Sequence, residues 1–266
     1  MTAAPTPHTL AVEAVELIAD PSGPILGLRG PGTPPPRLEL VGGRLRMPGT
    51  VEQAGLAADS AADSDAGSGW HATVPLTASR WGGPRLAPPS GSYRLDVDGA
   101  RVRALGAELP DANLPDAHLV PGLFRIAFRI EEDEFAVVIT APLADDELGA
   151  ENQARLETEY RAAAPVPIDA VFFESFYGQN ASCNPLALDR AIAAARPDLA
   201  RYWGVADASV AVPEGAIALI EGSTEWWRVR AAARLIVVND WLRNRYRKRP
   251  HQKVLQTWHG TMLKRL

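Results

Sequence analysis

Cysteine is almost absent from the chain: Cys183 stands alone among 266 residues. One thiol excludes an internal disulfide and a cysteine-based zinc site, and it suits a reducing compartment. His8, His71, His118 and His251 show no ligand spacing, so neither a metal nor a cofactor is expected. Long apolar runs are missing as well. No stretch approaches the roughly 18 apolar residues that cross a bilayer, and Met1 to Ala11 has no basic region followed by an apolar one. The chain therefore reads as one made and kept inside the cell. Acidic residues, finally, are missing from Trp241 to Leu266, where Arg243, Arg245, Arg247, Lys248, Arg249, Lys253, Lys264 and Arg265 gather. With 32 Asp and Glu against 27 Lys and Arg overall, an acidic body thus ends in a basic edge. A solvated helix face is the plain meaning of such a run; attraction to phosphate, in a ligand or at an anionic membrane surface, is the sharper one. A pI of about 5.6 and the lack of a recognisable binding motif exclude nucleic acid as the expected partner.

The residues that are present describe two regions. Hydrophobic residues make up 46% and charged ones 22%, as in ordinary globular proteins, and the length favours two domains. Many of the 23 Pro and 22 Gly fall in the first half, between short apolar runs. Those runs are Leu10–Ile18, Ile25–Leu28, Arg37–Leu40, Gly43–Met47, Trp70–Leu76, Ser92–Val97, Val102–Leu105, Leu123–Ile130 and Phe135–Ile139. Their spacing predicts an all-β, sandwich-like domain over residues 1–141, of unknown role. Tyr93, Leu95 and Val97 alternate with Arg94 and Asp96, and Asp98-Gly99 supplies a turn. Residues 52–69 and 82–91 read as exposed loops, the first by its Ala, Asp, Ser and Gly content and the second by Pro84, Pro88 and Pro89.

The period then changes. Leu148, Leu156 and Tyr160 predict a connecting helix within a linker over 142–167, closed by Pro165 and Pro167. Ile168–Phe173 reads as a strand covered on both faces. Asn184-Pro185 reads as the cap and first residue of a helix running to Ala195. Tyr202–Val205, Ala216–Ile220, Leu235–Val238 and Val254–Trp258 are further strands, Ser223 caps a helix through Ala233, and Asn239 caps a basic helix. Strands alternating with helices predict a Rossmann-type parallel sheet over 168–266. Trp226 and Trp227 read as packing residues, not as platforms for a sugar.

Two motifs stand out in this region. Phe173-Glu-Ser-Phe-Tyr-Gly-Gln-Asn180 with Ser182-Cys-Asn-Pro185, followed by Leu255-Gln-Thr-Trp-His-Gly-Thr-Met-Leu-Lys264, resembles the CDP-glycerol glycerophosphotransferase family, the teichoic-acid polymerases and primases. The resemblance covers roughly Ile168 to Leu266. It implies the first, acceptor-side half of a GT-B-like fold, in an incomplete catalytic region, so that the chain is expected to be a truncated piece and inactive alone. Met262 stands where the family usually has Pro, and Cys183 where relatives commonly have Asp.

The resemblance further implies transfer of glycerol phosphate, or another polyol phosphate, from a CDP-activated donor to a teichoic-acid or related polymer carried on lipid. A peripheral position at the inner face of the cell membrane would follow, with Arg243, Arg245, Arg247, Lys248 and Arg249 facing the lipid. Ligands of open parallel sheets bind beyond the carboxyl ends of strands, where the second motif would present His259. An imidazole near its ordinary pKa of ~6.5 can accept the proton of an attacking hydroxyl. Gly260 allows close approach, and Thr261 and Lys264 offer donors to phosphate. In the first motif Glu174, Ser175 and Tyr177 would face the crevice, Gly178 would permit a tight turn, and Asn180 would bind polyol or phosphate. Two other readings stay open: a GT-B glycosyltransferase using a nucleotide sugar, and a non-catalytic module that binds a glycan or a partner.

Overall fold

The computed structural model describes residues 8–43, 45–54, 69–80, 82–104, 117–131, 134–242 and 245–257, which fall into two compact units, Met1–Thr140 and Ala141–Leu266.

The first unit is built of sheets that are antiparallel except where His8–Leu10 runs parallel to Val102–Ala104. Gly91–Val97 pairs antiparallel with Leu38–Gly42, Ala100–Ala104 and Glu134–Thr140, and the last of these pairs with Phe124–Glu131. A second sheet orders Ala14–Ile18, Ile25–Pro31, Gly69–Pro75 and Thr50–Gln53. Alternation decides which side chains are covered: Tyr93, Leu95 and Val97 are buried, as are Leu26, Leu28, Ala72 and Val74. The Asp98-Gly99 turn has φ of 51° and 83°, the left-handed pair that a two-residue hairpin needs between Val97 and Ala100. Asp96, expected on the polar face, is buried and reaches Arg46 at 3.4 Å. The expected strand at Leu10–Ile18 divides into His8–Leu10 and Ala14–Ile18. Of the expected loops, 52–69 opens with the end of the Thr50–Gln53 strand, while its residues 55–68 lie outside the described ones. The other contains a two-residue strand, Arg85–Leu86, against Ala78–Ser79.

The second unit carries the predicted parallel sheet. Its strands are β1 (Ile168–Glu174), β2 (Ala200–Val205), β3 (Ile217–Ile220), β4 (Ala233–Val238) and β5 (Lys253–Gln256), in spatial order 3-2-1-4-5. Its helices are α1 (Gly149–Ala162), α2 (Cys183–Ala195) and α3 (Thr224–Ala232). Successive residues of β1 point to opposite faces, and both faces are apolar. Ala170 and Phe172 pack with Leu156 and Tyr160 of α1 and Trp226 of α3. Val171 and Phe173 pack with Trp203, Val205 and Val237 under Leu186 and Ile192 of α2. Trp226 and Trp227 pack as expected, buried with ring centroids 4.7 Å apart; Trp203 packs as well, stacked on Phe173 at 5.1 Å. Trp241 is 74% exposed. Helix α1 is more than a connector, since Leu156 and Tyr160 belong to the core of this unit. Among the described residues no helix is long and apolar enough to cross a membrane.

Two helix starts differ from expectation, and one does not. Ser223 caps α3, accepting the Trp226 N–H at 3.1 Å. Helix α2 begins at Cys183 with Ser182 at the cap position, so Asn184 is not the cap. Pro185 is tolerated because the first turn needs no amide donor there. The basic stretch after Asn239 is not a helix among its described residues. Its arginines answer the carboxyl end of α1, whose last carbonyls have no helical partner. Arg247 donates to the Arg161 carbonyl at 2.6 Å, and Arg249 to those of Ala163, at 2.8 Å, and Tyr160. Arg245 bonds Glu157 at 3.1 Å and lies 4.5 Å from the Trp227 ring centre. The Glu157 carboxyl is held below its ordinary range by hydrogen bonds from Arg161 and from Arg245. Burial pushes the Tyr246 hydroxyl up to about 12, so it keeps its proton and donates to Gln252 Oε1 at 3.2 Å.

Candidate functional site

The chain order β1, β2, β3 runs to one side of β1, and β4 starts again on the other. The gap beyond the carboxyl ends of β1 and β4 is therefore the topological switch point, where open parallel sheets leave a crevice. The two ends are level, because Glu174 pairs with Val238 in register. The first motif leaves β1 at this place, and Asn239 leaves β4.

The turn after β1 has an unusual backbone. Phe176, Tyr177 and Gly178 have φ of 49°, 53° and 78°, three left-handed residues in succession. For a residue with a Cβ that conformation costs roughly 1–2 kcal/mol, so the two aromatic positions are held by their surroundings. The Gly178 N–H donates to the Ser175 carbonyl at 3.0 Å, and the Gly178 carbonyl accepts from the Ala206 N–H at 2.9 Å. Around them runs a polar chain. Ser175 Oγ donates to Asn180 Oδ1 at 3.2 Å, and Ser182 Oγ donates to the same oxygen at 2.5 Å. Asn239 Oδ1 accepts the Phe176 N–H at 2.9 Å, and its Nδ2 donates to Ser175 Oγ at 3.3 Å.

Expected site residues thus fall into different places. Ser175 is fully buried and its hydroxyl is engaged beneath the turn. Glu174 is buried and folds back toward β2: a Cβ added to Gly204 would sit 3.3 Å from Glu174 Oε2. Neither opens freely into the crevice. Tyr177 and Asn180 are half-buried in the turn after β1, and Gly178 makes the expected tight bend. Replacing Gly178 by Ala would strain a left-handed position and bring a Cβ within 2.8 Å of the Ala206 nitrogen. The Gly178→Ala protein is expected to lose about 1–3 kcal/mol in urea unfolding. Wild-type stability would mean that the turn can shift without cost.

The second motif starts inside β5, at Leu255. The β5 end is fastened to β4: the Thr257 N–H donates to the Val238 carbonyl at 2.7 Å, and Gln256 Nε2 donates to the Asp240 carbonyl at 3.1 Å. His259, Gly260, Thr261 and Lys264 lie outside the described residues, as does Arg243. Of the basic residues expected to face lipid, Arg247 and Lys248 are exposed, whereas Arg249 is buried against α1 and Arg245 is half-buried there. A separate cavity of about 690 Å³ on the α2 side is lined by Ala181, Asp189, Arg201, Val212 and Glu214 among others, and by none of the turn residues. The residue that sequence reasoning missed is Asn239, taken for a helix cap. Its signal was an amide directly after an apolar parallel strand.

Comparison with known proteins gives these elements a context. Residues 158–266 match the family described as CDP-Glycerol:Poly(glycerophosphate) glycerophosphotransferase. The teichoic acid poly(glycerol phosphate) polymerase of Bacillus subtilis (strain 168) is 40% identical over 104 residues, which are 38% of this chain and 14% of that protein. The chain therefore spans about a seventh of the length of the curated relative it matches. A structure of the wall teichoic acid polymerase TagF is 27% identical, covering 44% of this chain and 29% of that one, with a TM-score of 0.41. A histidine-to-asparagine variant of TagF gives 26%, 43% and 29%, again with a TM-score of 0.41.

Proposed function

We propose, from the premise that residues 158–266 are a segment of the CDP-glycerol:poly(glycerophosphate) glycerophosphotransferase family, that the second unit is the acceptor-side half of such a transferase. The observation that carries this reading is the position of the two motifs within the matched segment. The first forms the strained turn after β1 at the switch point, and the second begins in β5, whose end is tied to the same β4 segment.

In the reaction an acceptor hydroxyl attacks the β-phosphoryl group of a CDP-activated polyol, glycerol foremost. A new phosphodiester forms, the bond to CMP breaks, and the hydroxyl proton passes to His259. Tyr177 and Asn180, at the edge of the crevice, hold the polyol end, while the Gly260-Thr261 backbone and Lys264 receive phosphate charge. Phosphoryl transfer depends mainly on such positioning and electrostatics. The test is CMP release from CDP-glycerol by the protein, with a lipid-linked acceptor present and nucleotide sugars as rival donors. Release from a nucleotide sugar alone would replace the reading with a glycosyltransferase.

The acceptor's lipid places the protein at the inner face of the membrane. Among the described residues exposed Lys248 is the contact, contributing about 1 kcal/mol near anionic lipid. Flotation with phosphatidylglycerol vesicles is expected to weaken as salt rises. Equal flotation with neutral vesicles would remove the electrostatic contact.

A further inference from the structure

We propose that Asn239 is a positioning residue, a clamp that holds the left-handed turn after β1 in register with the end of β4 and so fixes the residues edging the crevice. Its part in turnover rests on the transferase reading above; the clamp itself does not.

Asn239 is 2% exposed and follows β4 directly. Its planar amide offers an acceptor and a donor on one head, and both are used: Oδ1 takes the Phe176 N–H at 2.9 Å, and Nδ2 gives to Ser175 Oγ at 3.3 Å. The first bond lands on the opening residue of the left-handed run, where the backbone most needs an outside partner. The second orients the Ser175 hydroxyl toward Asn180 Oδ1 at 3.2 Å and the Ser182 carbonyl at 3.3 Å. One side chain just after β4 is thereby linked, through Ser175, to the far end of the loop that follows β1.

The residues flanking Asn239 grip the other motif. The Val238 carbonyl accepts from the Thr257 N–H, and the Asp240 carbonyl accepts from Gln256 Nε2. Val238–Asp240 is thus a common seat: the amide of Asn239 holds the first motif, and its neighbours' carbonyls hold the strand that leads into the second. Aspartate supplies the acceptor for Phe176 without the amide donor; alanine supplies neither.

Hydrogen exchange on the whole chain tests the clamp. In Asn239→Ala the amides of Phe176, Gly178 and Gln179 are expected to exchange about 10-fold faster or more, while those of Trp203 and Val237 keep their wild-type rates, as local opening requires. In Asn239→Asp the Phe176 amide should stay within about 3-fold of wild type, because its acceptor remains. Unchanged exchange at Phe176 in Asn239→Ala, or equal acceleration at Trp203 and Val237, would overturn the clamp. In the same variants, kcat for CMP release is then expected to fall about 10- to 100-fold in Asn239→Ala, with KM for CDP-glycerol little changed and partial recovery in Asn239→Asp. A loosened turn with unaltered kcat would overturn the positioning role. Absence of CMP release from the wild-type protein would sink the transferase reading, leaving the exchange result to decide the clamp.

Discussion

Changing His259 to Ala is expected to lower CMP release by about 100- to 10,000-fold, the usual range for removing a general base from a proton transfer. The expectation follows from the chemistry of the step. A polyol hydroxyl is a poor nucleophile at neutral pH, and its proton must leave as the new bond to phosphorus forms. An imidazole with a pKa near ~6.5 is neutral often enough to accept it and basic enough to hold it. A drop in kcat with KM for donor nearly constant would match loss of an interaction made only in the transition state. Unimpaired release by the variant would leave the proposed step without its base.

How much of this was legible in the sequence depended on what kind of force fixes each element. The strands were readable because burial leaves a pattern: Val171 and Phe173 face one layer, Ala170 and Phe172 the other, and a run that is apolar apart from Asp169 announces a strand covered on both sides. The Asp98-Gly99 turn and the Ser223 cap were readable because their chemistry is local. What could not be read depended on partners far along the chain. Asn239 has the composition of a helix cap, and only the sheet order brings it against Ser175 and Phe176, 64 and 63 positions away. Arg245, Arg247 and Arg249 have the composition of a solvated face or a lipid contact. In the fold they are drawn to the carbonyl end of α1, some 86 to 89 positions earlier. Ser175 illustrates the same limit within the motif itself. Its residue type suits a ligand contact, but a fully buried hydroxyl engaged on both sides makes it part of the support.

The same dependence on distant partners explains why the largest stability loss is expected at a position with no motif at all, Asp189 of α2. Its side chain is fully buried, with Oδ2 2.7 Å from Arg201 Nη1 on β2 and Oδ1 accepting from Trp203 Nε1 at 3.2 Å. Arg201 is in turn 9% exposed in its side chain and donates to the Glu214 carbonyl at 2.9 Å. One carboxylate thereby joins α2 to two positions of the neighbouring strand and, through Arg201, to the loop before β3. Removing it leaves a guanidinium without its counter-charge and an indole N–H without an acceptor, both in a place water reaches poorly. Taking one partner from such a pair costs about 3–5 kcal/mol, so Asp189→Ala should unfold at far lower urea when followed by tryptophan fluorescence. Asp189→Asn keeps the acceptor for Trp203 and should lose less. Replacing both charges together, Asp189→Leu with Arg201→Met, should recover much of the loss, since the penalty belongs to the stranded charge and not to the missing attraction. A cost below about 1 kcal/mol for Asp189→Ala would mean that water enters from the cavity beside α2 and solvates Arg201 in place of the carboxylate.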